Sequence, residues 1–248
     1  MTKVEAPTRA LLWRVATIAE IREETISARS LRLDVPGWPG HLAGQHVDVR
    51  LTAEDGYQAQ RSYSLASDPS TVEITVQRVP RGELSPWLCD IATVGDQFEV
   101  RGPVGGYFTW SPQRPEPVLL VAGGSGIVPL MAMVRARGSA ESRVPFRLVY
   151  SVRDPDTVIY AAEFMRRIRD DQGLDVAIVY TRETPPGAPR PAGRLSAQDL
   201  GAMGWPAQSE PACYVCGPTG FVEAAADLLV AAGHDPQRIR TERFGPTS

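Results

Sequence analysis

Two hydrophobic rhythms divide this chain. In the first half, apolar and polar positions alternate in short runs: Val47, Val49 and Leu51 against Asp48 and Arg50, then Val72, Ile74 and Val76 against Glu73 and Thr75. Period-two alternation marks a strand with one buried face. Residues 11–18, 30–35, 61–65 and 97–100 fit the same scheme. Turn pairs such as Pro36 and Gly37, Asp55 and Gly56, and Gly95 and Asp96 stand between them. These strands predict an antiparallel six-stranded β-barrel, whose closure removes exposed edges. A short helix is expected over residues 84–91, with Pro86 in its first turn.

The second rhythm begins after residues 111–117, where three prolines exclude a helix or a central strand. Residues 118–122 form a continuous apolar run, as expected of a parallel strand buried on both faces. Strands over 146–150, 176–181, 212–216 and 238–242 alternate with helices over 129–137, 161–170 and 219–232. That alternation predicts a doubly wound α/β parallel-sheet domain. The expected organisation is a barrel over residues 1–111, a linker over 112–117 and the α/β domain over 118–248. Residues 184–193, with four prolines, are expected to form a loop.

The chain has 248 residues, enough for two domains, and a formal net charge of −3. That charge argues against nucleic acid or an anionic membrane as the main partner. No apolar run approaches the roughly 20 residues of a membrane span. Residues 1–7 include Glu5 and lack the apolar core of a secretory signal. Three cysteines do not make a disulfide framework. A cytoplasmic location is the expectation.

Gly123, Gly124, Ser125 and Gly126 follow a buried strand and open a helix, a setting that brings backbone N–H groups to a pyrophosphate. Pro129 stands where a full dinucleotide fingerprint has its third glycine. A second glycine turn, Gly217 and Pro218 after Cys216, falls on the same carboxyl edge of the sheet, where ligands bind in open α/β domains. Ser151 and Arg153 end the second strand and Arg182 follows the third. These groups suit a 2′-phosphate, which favours NADPH over NADH, although Asp154 keeps NADH open. Arg61, Ser62, Tyr63 and Ser64 end a barrel strand. Arg61 suits a phosphate, Tyr63 a flavin ring, and Ser64 a hydrogen bond near the flavin N5–O4 edge. Gly82, Leu84 and Ser85 begin the short helix, where a flavin pyrophosphate can meet free N–H groups.

With these motifs in order, the chain resembles the ferredoxin–NADP reductase-like flavoproteins over nearly its whole length. The resemblance rests on the segments 61–64, 82–85, 102–105, 123–129, 216–218 and 242–245. It implies FAD on the barrel (FMN remaining possible), a nicotinamide dinucleotide on the α/β domain, and both rings in the cleft between. Cys216 would border the nicotinamide and Phe244 would lie near the flavin. Plant-type members end on the aromatic residue, whereas Gly245 to Ser248 follow Phe244 here, which puts a shielding role for Phe244 in doubt. The iron–sulfur ligand spacing C-x4-C-x2-C of some relatives does not occur in the sequence.

The expected activity is hydride transfer from NAD(P)H to bound flavin, with Ser64 and Cys216 as catalytic candidates. A separate acceptor is expected: a ferredoxin, a flavodoxin-like protein or an oxygenase component. Arg78, Arg81 and Arg101 are candidates to steer an acidic partner. The alternatives are a reductase of small acceptors such as free flavin or quinone, or a non-catalytic flavin-binding electron-transfer subunit. Cys213 and Cys216 share a strand but differ by three positions, so they should face opposite sides and form no metal or redox pair. No metal site is expected, and His41, His46 and His234 have no partner spacing.

Overall fold

The computed structural model describes residues 11–245. The signal-sequence reading of residues 1–7 and the ending beyond Gly245 lie outside them.

Strands β1 (Trp13–Thr25), β2 (Ala28–Asp34), β3 (His46–Thr52), β4 (Gln58–Ser64), β5 (Val72–Gln77) and β6 (Gln97–Val104) form one sheet in the order β4-β3-β6-β1-β2-β5. Every neighbouring pair is antiparallel. A bridge between Leu65 and Ile74 joins the two ends into a barrel. β1 runs well past the expected residue 18. Its second half is rich in charge (Glu20, Arg22, Glu23, Glu24), which hid the strand, and register shifts beside Glu20 and Thr25 bend it. The barrel core holds Ile18, Leu31, Val47, Val49, Ile74, Val76 and Val100. Helix α1 (Leu84–Pro86) widens into a π-turn over Trp87–Ile91 and sends Leu84 and Leu88 into that core.

The second sheet contains β7 (Val118–Gly123), β8 (Phe146–Val152), β9 (Leu174–Tyr180), β10 (Ala212–Pro218) and β11 (Ile239–Phe244). Its order is β11-β10-β7-β8-β9, parallel throughout, so chain direction across the sheet reverses between β7 and β10. Helices α2 (Ile127–Ser139) and α3 (Ala161–Asp170) pack with Leu120, Ala122 and Tyr150 on one face. Helices α4 (Ala197–Met203) and α5 (Thr219–Ala231) pack with Leu119, Val121 and Val215 on the other.

Cys213 belongs to the second packing layer and Cys216 to the first, as the odd spacing requires. Helix α4 adds to the expected elements. Its signal is a capping box: the Ser196 hydroxyl accepts from the Asp199 N–H, while Asp199 Oδ2 accepts from the Ser196 N–H at 2.9 Å. The preceding proline-rich loop masks the helix in the pattern. Ala43, Ala66, Phe108 and Trp110 of the barrel side join the layer around α2, so the two domains share apolar packing.

Candidate cofactor cleft

Cross-strand pairing sets the faces of β4. Arg61 lies opposite Val49 and Tyr63 opposite Val47, on the side of the barrel core, while Ser62 and Ser64 point outward. At the barrel end Arg61 reaches Glu83, Nη2 to Oε2 at 3.0 Å, and the Tyr57 hydroxyl donates to the same carboxylate at 2.5 Å. The strand end and the α1 start are therefore adjacent. Tyr63 is partly buried against the core.

Four of the expected site residues have local structural partners. Ser62 donates to Asp48 Oδ1 at 2.7 Å, in an outer network where Asp48 also holds Arg101, so its hydroxyl is already committed. The Leu84 side chain is fully buried in the barrel core, because α1 must plug that end. The Ser85 hydroxyl accepts from the Val79 N–H at 3.0 Å and Gly82 donates to the Val79 carbonyl at 2.9 Å, which shapes the turn. Side chains of this segment thus build the loop. Of the arginines considered for steering, Arg101 pairs with Asp48 and Arg78 with Asp90. Arg81 is exposed, with no ion pair among the described residues.

Ser64, nearly buried, donates its hydroxyl hydrogen bond across the domain boundary to Glu242 Oε1 at 3.4 Å. Glu242 sits on β11 directly opposite Cys216 on β10. Burial pushes the Glu242 carboxyl up to about 7, against the downward pull of the Ser64 hydroxyl. Burial, followed by the Glu242 charge, pushes the Cys216 thiol well above its ordinary value, which favours the neutral thiol. Phe244 lies two residues beyond Glu242, beside Pro218, and packs on the layer that contains Cys216. In the linear sequence Glu242 stands only as the first residue of the terminal segment 242–245, with no sign of a role. Its acidic character was visible; its neighbours were not.

On the nucleotide side, Gly123 ends β7, Gly124–Gly126 make a 3₁₀ turn, and α2 starts at Ile127. Gly124 has φ +54° and open space around its Cα, leaving room for a ligand. Gly126 serves packing: a Cβ there would lie 2.1 Å from the Cys216 carbonyl oxygen. A Cβ on Gly123 would lie 2.6 Å from the Phe221 ring, and one on Gly217 2.9 Å from the Gly123 carbonyl. The two glycine turns therefore touch where the sheet reverses direction, with Phe221, unmarked in the sequence, lying over both. Ser125 is partly buried and Pro218 exposed. Ser151, buried, is opposite Gly123. Arg153 and Arg182 are adjacent at the ends of their strands, the Arg182 N–H donating to the Arg153 carbonyl at 2.8 Å; Arg182 and Arg153 both reach solvent. Neither has an ion pair among the described residues. Asp154 Oδ1 is buried without a hydrogen-bond partner.

The Arg61 guanidinium at the barrel end, Tyr63 beside it, and strand ends bearing the Ser64 hydroxyl and the Glu242 carboxyl are groups that could hold a flavin. The open turn at Gly124 and the neighbouring arginines fit a dinucleotide. Among the described residues no group of three or more His, Cys, Asp or Glu side chains could hold a metal ion.

Comparison with known proteins agrees with this division. The oxidoreductase FAD-binding domain family matches residues 15–109, and the oxidoreductase NAD-binding domain family matches residues 120–227. The ferredoxin reductase component of 3-ketosteroid-9-alpha-monooxygenase from Mycolicibacterium smegmatis is 35% identical over 92% of this chain and 64% of its own length. The component of the same name from Rhodococcus rhodochrous is 30% identical over 100% of this chain and 69% of its own length. The chain thus spans less than two thirds of the first of these relatives. Among solved structures, the FAD/NAD-binding domain of Vibrio cholerae nitric oxide dioxygenase superposes with a TM-score of 0.83 at 25% identity, over 94% of this chain and 99% of that one. In sequence and in architecture alike, the chain belongs to the ferredoxin–NADP reductase-like flavoproteins, with an FAD-binding barrel followed by a pyridine-nucleotide-binding α/β domain.

Proposed function

We propose that this chain is an NAD(P)H-dependent reductase that loads electrons onto bound FAD and delivers them to a separate acceptor protein, such as a ferredoxin, a flavodoxin-like protein or an oxygenase component. The observation that carries the reading is the meeting of Ser64, Glu242 and Cys216, from both domains, beside the two touching glycine turns. Its relatives' description as reductase components of oxygenase systems supports the separate acceptor.

The bound cofactor pair supplies the redox chemistry, a hydride passing from the nicotinamide to the flavin. The chain's own groups bind, orient and exclude water, which makes the transfer effectively unimolecular. Arg61 would hold a flavin phosphate, and Tyr63 would flank the ring. Ser64 would present its Oγ to the ring edge while its hydroxyl donates to Glu242 Oε1, and burial leaves the Glu242 carboxyl partly protonated near neutral pH. Cys216 walls the nicotinamide slot.

NADPH is the favoured donor, because Arg153 and Arg182 carry charge that is unpaired among the described residues at the ends of β8 and β9. NADH is the second reading, favoured by the unpartnered Asp154 Oδ1, which can accept from a ribose hydroxyl. Anaerobic stopped-flow absorbance of the flavin-loaded protein against NADPH and NADH tests both. Rapid bleaching by one donor is the expected result; no bleaching by either would leave a flavin-binding subunit reduced by something else.

A further inference from the structure

Away from the cofactor cleft, the domains are also joined by a buried polar network centred on Arg135, a residue of α2. Its guanidinium donates to Glu73 Oε1 of β5 at 2.6 Å, to Glu163 Oε2 of α3 at 2.6 Å and to the Ala66 carbonyl at 3.0 Å. It also lies over the Tyr160 ring, 4.9 Å from its centroid. Tyr160 is buried at φ +65°, and its hydroxyl shares a hydrogen bond of 2.5 Å with Thr75 of the barrel. Its N–H donates to Glu24 Oε2 of β1 at 3.1 Å. Ser30 joins Thr75 to Glu24, at 2.8 and 2.6 Å. Arg22 adds a pair to Glu73 at 3.2 Å, and Arg167 one to Glu163 at 2.8 Å.

Every carboxylate in this network has a cationic partner or a backbone donor, and the contacts cross between the domains. Fixed charges and hydrogen bonds of this kind accept one relative placement and penalise slippage, because a displaced member would be buried unpaired. The placement matters for one reason. Helix α2 begins at the glycine turn of the nucleotide side, and Arg135 lies about 12 Å along it, at 1.5 Å per residue. There it grips the carbonyl of Ala66, two residues past Ser64 on the flavin side. One rigid helix thus ties the donor turn to the strand end that carries the acceptor-side hydroxyl.

We propose that Arg135 and Tyr160 are positioning residues that set the distance between the two cofactor rings, by locking the α/β domain onto the barrel, without touching either cofactor. The proposal rests on the reductase reading above. The test uses the FAD-loaded chain carrying Arg135→Lys, which keeps the charge and loses the fork, or Tyr160→Phe, which removes only the hydroxyl. Flavin content and the Kd for NADPH should be unchanged, while the limiting rate of flavin reduction falls about tenfold or more. Spin labels at Glu54→Cys and Gln198→Cys, both exposed, give an interdomain distance distribution that should broaden in the same variants. Parental rates with a parental distance distribution in both variants would overturn the proposal. Loss of FAD from both would overturn it too, since the network would then serve barrel integrity. If the parent is not reduced by NAD(P)H, the reductase reading fails, and the spin-label distances alone decide the lock.

Discussion

Replacing Glu242 by Gln should stabilise the folded chain by an amount that grows as pH rises from about 4.5 to 7 and is full above that. The carboxyl starts from an ordinary value of 4.5 and burial moves it up to about 7 in the folded state. Raising a carboxyl means that the native state holds the proton more tightly than the unfolded state does. Stability from this group is then fully present below 4.5 and is lost as pH rises through about 7. At about 1.4 kcal/mol per pH unit, the burial of the charged form at pH 8 costs about 3 kcal/mol, which glutamine avoids. The parent and the Glu242→Gln variant, both stripped of flavin, should be unfolded in urea at pH 5 and pH 8. The two should differ by under about 1 kcal/mol at pH 5, and the variant should gain about 2–3 kcal/mol at pH 8. An equal difference at the two pH values, or a variant weaker at pH 8, would refute a buried, proton-holding Glu242.

Arg61→Ala should weaken FAD binding about 10- to 100-fold, the worth of a charge-assisted phosphate contact, as read by flavin titration; unchanged affinity would remove Arg61 from the site. Cys216→Ala should retain FAD yet slow its reduction by NADPH in stopped-flow, whereas a parental rate would make Cys216 a core residue only. Gly126→Ala forces a methyl against the Cys216 carbonyl and should destabilise the α/β domain by about 1–3 kcal/mol in urea unfolding, although φ at Gly126 is helical. Arg153→Ala should raise the Kd for NADPH about tenfold and leave that for NADH unchanged, as titration calorimetry would show; equal losses would argue for the NADH reading.

Local pattern was enough for most of the architecture. Alternation along β3 and β5, and the apolar run of β7, are consequences of which faces are buried, and they survive in the linear order of residues. The turns at residues 123–126 and 217–218 were equally legible as turns, since each is a short contiguous segment. Where polar side chains are recruited into an interface, the linear pattern fails: the charged half of β1 looks like a loop, yet Glu24 and Arg22 are engaged by Tyr160 and Glu73. Leu84 and Ser62 show the converse, since motif membership did not reveal that one side chain plugs the barrel and the other is bound to Asp48.

Chain order alone therefore specifies a barrel and an α/β domain, because strand period and turn chemistry act over a few residues. Folding alone decides that Ser64 meets Glu242, that Glu242 lies against Cys216, and that the Cys216 carbonyl leaves no room for a Cβ at Gly126. These partners are far apart in sequence. Only the packing of the α/β domain on the barrel buries Glu242 enough to hold its proton near neutral pH.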